Sequence, residues 1–482
     1  MTEGVKVDWS VSRIIEATGG RLIRGGMGAS VREISTDSRR IGPGDAFVAL
    51  VGENHDAHRF LAQAVDRGAA VLVVSREEAV STVRGDVPIV LVEDTLRALG
   101  DLGRYRRDRA AIPVVGITGS NGKTSTKEMV AAVLSTRWKV LKNAGNFNNL
   151  IGVPLTLLSL DSSHEVAVIE MGINVPGEME RLVTVAGPTV GLITNIHPAH
   201  LEGLQSEDAI LLEKAALWRA LGRDGLAVVN RDDERLDRLA SSIPARKVTF
   251  SSKSLEAHVR ASGRPDFSGG RTRFAVDFEG KVLPVTLAVI GEHQMHNAVA
   301  AAAVGYGLGL SPEAVVEGLN GHRPVPQRME TLSLPDGTVI INDTYNANPV
   351  SVMEAVRTAV QVAGKRPVVV VLGEMRELGP QSPQHHRRVG RRIGGLGLSR
   401  LITQGPLAQE ISRGAREVGF PAYRCCHVEN HEEAVAELLH HWHPGAWILL
   451  KGSRGMRMER VLEAILQRMG PPARPAGEKE SA

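Results

Sequence analysis

Gly119-Ser120-Asn121-Gly122-Lys123-Thr124-Ser125 directly follows the apolar run 112–117 and opens a helix-like stretch. A glycine loop between a buried strand and a helix N-terminus is a cradle for phosphate. The glycines let backbone N–H groups turn inward, and the helix dipole adds partial positive charge. Lys123 reaches terminal phosphates, and the Thr124 hydroxyl is placed to ligate Mg²⁺. The expected ligand is ATP, with residues 119–125 as its contacts. The loop is a variant of the common G-x-x-x-x-G-K-[ST] pattern, because Ile117 stands six before Lys123 and the nearest glycine, Gly116, lies one residue further back.

Other groups that could serve this chemistry stand just past strand-like runs. Glu170 lies near the end of the run 167–171, where a carboxylate is costly to bury unless it meets a cation or donors, and Mg²⁺ is the natural partner. His200 follows the run 190–196 in His197-Pro198-Ala199-His200-Leu201-Glu202-Gly203. Two histidines and a glutamate directly after a strand give one histidine a metal or phosphate role. Lys214 sits on a helical pattern and reads by default as a solvated surface lysine.

Placing these groups requires strands that end together. With 482 residues the chain is too long for one core, and about three domains are expected. Residues 1–110 carry short strand-like runs at 46–51, 70–74 and 89–92 around the helical pattern 59–67, which predicts a small α/β domain. Residues 111–322 alternate strand and helix, which predicts a central phosphate-loop domain built on a parallel sheet, with ligands collecting at the C-terminal strand ends. After Pro324-Val325-Pro326, runs at 339–342, 367–372, 401–404 and 447–451 predict a Rossmann-like doubly wound domain over 323–470. The Pro- and Gly-rich tail 471–482 is expected to be disordered. The fold class is α/β throughout.

Composition narrows the function. Hydrophobic content of 43% is that of a globular chain, and no apolar run approaches the roughly 20 residues of a membrane span. The start lacks the layout of a secretion signal, so a cytoplasmic location is expected. The two cysteines, Cys425 and Cys426, are adjacent and form neither a disulfide framework nor a zinc spacing. A formal charge of +3 with 4% aromatics argues against nucleic acid as a partner.

Taken together, Gly119 to Thr124, Asn146-Phe147-Asn148-Asn149-Leu150-Ile151-Gly152-Val153-Pro154, Ile169-Glu170-Met171-Gly172, His200-Leu201-Glu202-Gly203 and Asn342-Asp343-Thr344-Tyr345-Asn346-Ala347-Asn348-Pro349 resemble the Mur ligases of bacterial cell-wall synthesis over nearly the whole chain. The segments 343–349, 372–379 and 451–454 resemble the type that adds D-alanyl-D-alanine to UDP-N-acetylmuramoyl-tripeptide. The resemblance implies three domains, for the UDP substrate, ATP and the incoming dipeptide, in a monomer that uses ATP and Mg²⁺. It implies that Lys123 is the phosphate-loop lysine, Thr124 and Glu170 are metal ligands, and His200 helps hold a second metal. Lys214 takes the place of a lysine carbamylated by CO₂, which turns a cation into an anionic ligand. Asn297 takes the adenine contact, Arg328 meets the terminal phosphate from the next domain, and Asp343 contacts the ribose or nucleotide. Thr36, Asp37, Ser38 and Arg39 match the uridine-diphosphate region, and Asn146, Asn149, Asn346 and Asn348 fall in the substrate motifs.

Two departures stand out. Ala216 replaces an acidic residue often found two after the carbamylated lysine, and Ala57 replaces the glycine of Asp-Gly-His in the first domain. A folylpolyglutamate synthase shares the ATP loop but starts close to it, whereas about 110 residues precede it here. The ligase that adds a diamino acid usually carries Asp-Asn-Pro-Arg, which is absent from the sequence. A non-enzymatic nucleotide switch would need the loop without Glu170, His200 and the third block together.

Overall fold

The computed structural model describes residues 8–52, 55–198, 204 and 206–472. Three large sheets follow one another along the chain. The first runs Arg21–Arg24, Ile89–Leu91, Val71–Val74, Ala46–Val48, Ile34–Ser35, parallel except at its first strand. The run Val71–Val74 is buried on both faces, which is why it reads as unbroken valine and leucine rather than as an alternation. The helix Thr95–Ala110 leaves this sheet and packs on Gly152–Leu158, tying the first sheet to the second.

The central sheet has nine strands. From one edge, Val140–Lys142, Val166–Glu170, Val114–Thr118, Val190–Ile193, Leu226–Asn230 and Arg246–Ser251 are parallel, as the strand-helix alternation predicts. Val259–Asp266 continues the parallel order beside Arg246–Ser251, and the last two strands depart from that reading. Thr272–Phe278 and Lys281–Leu287 extend the sheet as an antiparallel edge. Their sequence turns back through tight loops such as Glu279-Gly280, too short for a crossover helix. The last strand carries the exposed Pro284 opposite Ala275, and its Thr286 N–H donates to Asn320 Oδ1 (2.8 Å).

The third sheet runs Glu330–Ser333, Val339–Asp343, Trp447–Lys451, Val368–Leu372, Arg400–Gln404, Cys425–Val428, parallel except at its first strand. The chain crosses over Trp447–Lys451 between its second and third strands in sequence, so strand order reverses there and a crevice opens beyond Asp343 and Lys451. Cys425 is buried in the last strand, as a packing residue would be.

Most core side chains are aliphatic, but His322, at the join between the second and third sheets, is buried as well. Burial, with Lys142 adding to it and Glu128 opposing, pushes its imidazole down to about 4. Between the ordinary value of 6.5 and about 4 the unfolded chain binds a proton that the folded chain refuses, so stability must fall as pH falls through that window. Thermal melting should show a loss on the order of 2 kcal/mol attributable to this residue between pH 7 and pH 5, and His322→Leu should flatten that slope.

Candidate active site

The strand Val114–Thr118 is buried along its whole length and delivers the chain into the phosphate loop. Gly119 has φ +149° and Gly122 φ +80°. A Cβ at Gly119 would lie 1.9 Å from Thr194 Oγ1, and one at Gly122 would lie 2.4 Å from Asn297 Oδ1, so neither position admits a side chain. The loop is held from the next strand end. Asn121 N–H donates to Asn195 Oδ1 (3.0 Å), while the Thr194 hydroxyl and Asn195 Nδ2 donate to the Asn121 carbonyl (2.6 and 3.2 Å). Ser120 and His197 exchange a reciprocal pair, hydroxyl to carbonyl at 2.8 Å and N–H to Oγ at 2.9 Å. Lys123, first residue of the helix Lys123–Leu134, curls back so that its ammonium donates to Gly119 O (2.8 Å). Burial, assisted by Arg328 and opposed by Glu170, lowers its pKa.

Glu170 ends the strand Val166–Glu170 and is 1% exposed. Oε1 accepts from Asn148 Nδ2 (2.7 Å), while Oε2 is buried without a hydrogen-bond partner. A bare buried carboxylate oxygen is costly unless a cation meets it. Lining the same cavity as the phosphate loop, it fits Mg²⁺, which takes one or two carboxylates and fills its octahedron with phosphate oxygens and water. Among the described residues no three His, Cys, Asp or Glu side chains converge. His200 lies outside the described residues.

Lys214 corrects the default reading of the helical pattern. It is 1% exposed on the helix Glu207–Arg219, because that helix lays its Lys214, Leu217 and Trp218 face against the sheet. Burial first, then repulsion from Lys123, holds its amine well below the ordinary lysine range.

The third sheet supplies the opposite wall. Arg328 reaches from the join between sheets, and its Nη2 donates to Thr124 Oγ1 (3.0 Å) while its guanidinium lies 4.0 Å over the Tyr345 ring. Both neighbours, Gln327 and Met329, hold positive φ (62° and 52°), a conformation that non-glycine residues keep only where the surroundings impose it. Asn348 caps the helix Pro349–Ala363 through Oδ1 and donates from Nδ2 to Asn121 Oδ1 (2.6 Å). Asp343 is already engaged, accepting from Lys451 Nζ (2.6 Å) and Met329 N–H (3.2 Å). Asn346 lends its carbonyl to the same ammonium (2.8 Å).

These walls enclose a cavity of about 1550 Å³ lined by residues 120–125, Asn146, Asn149, Glu170, Asn297, Arg328, Asp343, Asn346 and Asn348 among others. The lining contains none of Thr36, Asp37, Ser38 and Arg39, which lie in a turn of the first sheet. There Asp37 pairs with Arg39 and the Ser38 hydroxyl donates to Gln63 (3.0 Å). Asn149 caps the backbone of Gly152 (2.9 Å), whereas its neighbour Asn148 touches Glu170. Of the three asparagines in 146–149, Asn148 meets the carboxylate, and it is not one of the two singled out from the sequence. It also did not single out Asn143, Asn195, Tyr345 or Lys451. Only strand pairing brings Asn195 to the loop, and no local spacing reports that.

Comparison with known proteins agrees with this geometry. The chain matches the family models of the Mur ligase family catalytic domain over residues 30–107, the Mur ligase middle domain over 117–305 and the Mur ligase glutamate ligase domain over 327–454. It is 35% identical to the UDP-N-acetylmuramoyl-tripeptide--D-alanyl-D-alanine ligase of Escherichia coli across 95% of this chain and 98% of that one. It is 32% identical to the ligase of the same name from Bacillus subtilis across 91% and 93%. Among solved structures, it superposes on MurF from Acinetobacter baumannii with a TM-score of 0.87 at 32% identity, covering 95% and 99% of the two chains. It superposes on the MurF ligase of Thermotoga maritima in complex with ADP with a TM-score of 0.81 at 27% identity, covering 91% and 98%. By sequence over nearly its full length, and by the three-sheet architecture that carries the phosphate loop, this chain belongs to the Mur ligase family.

Proposed function

We infer that the chain is an ATP-dependent amide ligase that joins D-alanyl-D-alanine to UDP-N-acetylmuramoyl-tripeptide in peptidoglycan synthesis, with release of ADP and phosphate. The observation that carries this reading is the meeting of Arg328, from the third sheet, with Thr124 of the phosphate loop in one cavity (3.0 Å). We take residues 1–110, 111–322 and 323–470 as the UDP-substrate, ATP and dipeptide domains.

A carboxylate is a poor electrophile, so the tripeptide carboxylate first attacks the γ-phosphorus of ATP, forming an acyl phosphate and releasing ADP. The dipeptide amine then adds to the acyl carbon, loses its proton, and expels phosphate as the amide forms. Lys123 and Arg328 approach the transferring phosphoryl from two sheets, where fixed positive charge stabilises the negative charge spread over its oxygens. Thr124 and Glu170 would hold Mg²⁺, which when bound would further neutralise that charge. Burial and repulsion from Lys123 lower the pKa of the Lys214 amine, which favours the uncharged form that would add CO₂ to give a carbamate and a proton. Asn297, set against Gly122, supports a contact to the adenine. Asp343, braced by Lys451, supports one to the ribose. Asn146, Asn149, Asn346 and Asn348 line the space for the acceptor and donor peptides, and closure of the sheets on one another excludes water from the acyl phosphate.

The decisive assay is ADP release with purified UDP-muramoyl tripeptide, testing D-alanyl-D-alanine against single amino acids and folates. Release should require ATP, the tripeptide and the dipeptide together. Lys123→Ala should fold normally and lose more than about 100-fold in turnover, since its charge acts on the phosphoryl and not on packing. Glu170→Gln should raise the Mg²⁺ concentration needed for half-maximal turnover with little change in UDP-substrate affinity, read by magnesium titration at fixed ATP. Lys214→Ala should be inactive and partly restored by acetate or formate, which can return an anionic oxygen to the vacated space. Lys214→Arg should stay inactive, because a guanidinium remains protonated and cannot add CO₂. Full activity of Lys214→Ala without added acid would remove the carbamate from the mechanism.

A further inference from the structure

Lys127 lies one helical turn beyond Lys123, has no side-chain exposure, and is absent from the cavity lining. A fully buried ammonium is expensive unless its protons are all used, and a methionine would fill the same volume without that cost. Here the protons are used. Nζ donates to the carbonyls of Asn143 (2.8 Å) and Gly145 (3.3 Å) and lies 3.0 Å from Glu128 Oε1.

Those carbonyls begin the loop that holds Glu170. The Asn143 amide grips the Glu170 backbone in both directions, Nδ2 donating to Glu170 O and Oδ1 accepting from Glu170 N–H, each at 2.9 Å. The same Nδ2 donates to Phe147 O (2.9 Å), closing the loop on itself. Asn148, next along, donates to Glu170 Oε1 (2.7 Å) and takes the Gly172 N–H on its carbonyl (2.8 Å). The residue whose carboxylate lines the cavity with Oε2 unpartnered is therefore fixed at its N–H, its carbonyl and one carboxylate oxygen by a loop whose first turn is clamped by one ammonium.

We propose that Lys127 is a positioning residue for the metal side of the site, setting the orientation of Glu170 through Asn143 and Asn148 without touching nucleotide or metal. This rests on the ligase reading above for its effect on turnover, but the clamp itself can be tested without turnover. In the nucleotide-free protein, Lys127→Met should speed hydrogen exchange in peptides covering 143–149 and 166–172 by about tenfold, with the helix Glu292–Gly307 unchanged. The Mg²⁺ concentration for half-maximal ADP release should rise about 10-fold or more, while nucleotide binding in EDTA stays within about twofold of the wild type.

Unchanged exchange in those peptides, or a wild-type Mg²⁺ requirement in the folded variant, would overturn the proposal. If Lys127→Met does not fold, Asn148→Ala carries the test, since it keeps the buried ammonium and cuts the last link to Oε1. It should fold, confirmed by circular dichroism, and show the same rise in Mg²⁺ requirement, and a wild-type requirement there would equally overturn the proposal. Absence of substrate-dependent ADP release from the wild-type protein would instead count against the ligase reading, with the exchange result still deciding the clamp.

Discussion

Cationic groups crowded around the phosphate loop are the constraint on which the rest of the molecule depends. Lys214 is fully buried and Lys123 half-buried; Lys123 makes Lys214 harder to charge, and Arg328 repels Lys123 in turn. Glu170 is the carboxylate that offsets this most at Lys123, and one of its two oxygens has no hydrogen-bond partner. Such a site is electrostatically incomplete by design of its residues. A polyphosphate with its metal supplies charges of both signs, so binding relieves a cost that folding has already incurred. This is preorganisation in a physical sense, because the donors are in place before the charge they stabilise develops.

Holding like charges close requires stiff supports, and these come from backbone rather than from packing alone. Asn195 behaves toward Asn121 as a further strand residue would, accepting from its N–H and donating to its carbonyl. The Ser120–His197 exchange repeats the arrangement one residue earlier. Opposite them, the third sheet approaches through a segment that tolerates two left-handed non-glycine residues around Arg328. The two sheets are joined by directional bonds, Arg328 to Thr124 and Asn348 to Asn121, beside the apolar contact of Ile290 with the third sheet's core.

The legible part of the fold was the part written in local pattern. Strands buried on both faces, such as Val71–Val74 and Val368–Leu372, announce themselves as unbroken β-branched runs, and the phosphate loop as glycines ahead of a lysine. Lys214 was misjudged as solvated because its helix carries apolar residues on more than one face, so periodicity does not say which side meets the sheet. The antiparallel edge was missed because strand direction depends on the length of a connection and not on the composition of the strands. Asn148 was passed over for Asn146 and Asn149 because three asparagines in four residues are equivalent until the loop has a shape.

That antiparallel edge also bears on how the protein behaves among its own copies. An unpaired edge strand offers a row of outward N–H and C=O groups on which another chain can pair. On Lys281–Leu287, positions 284 and 286 point their backbone to the same side, since alternate residues do. The first is a proline with no N–H to give, and the N–H of the second is taken by Asn320. Two consecutive rungs of the would-be ladder are thus blanked, with Lys281 adding charge at the strand's start. The sheet with the most strands is closed to further growth at this edge, guarding the protein against edge-to-edge aggregation by means unrelated to its chemistry.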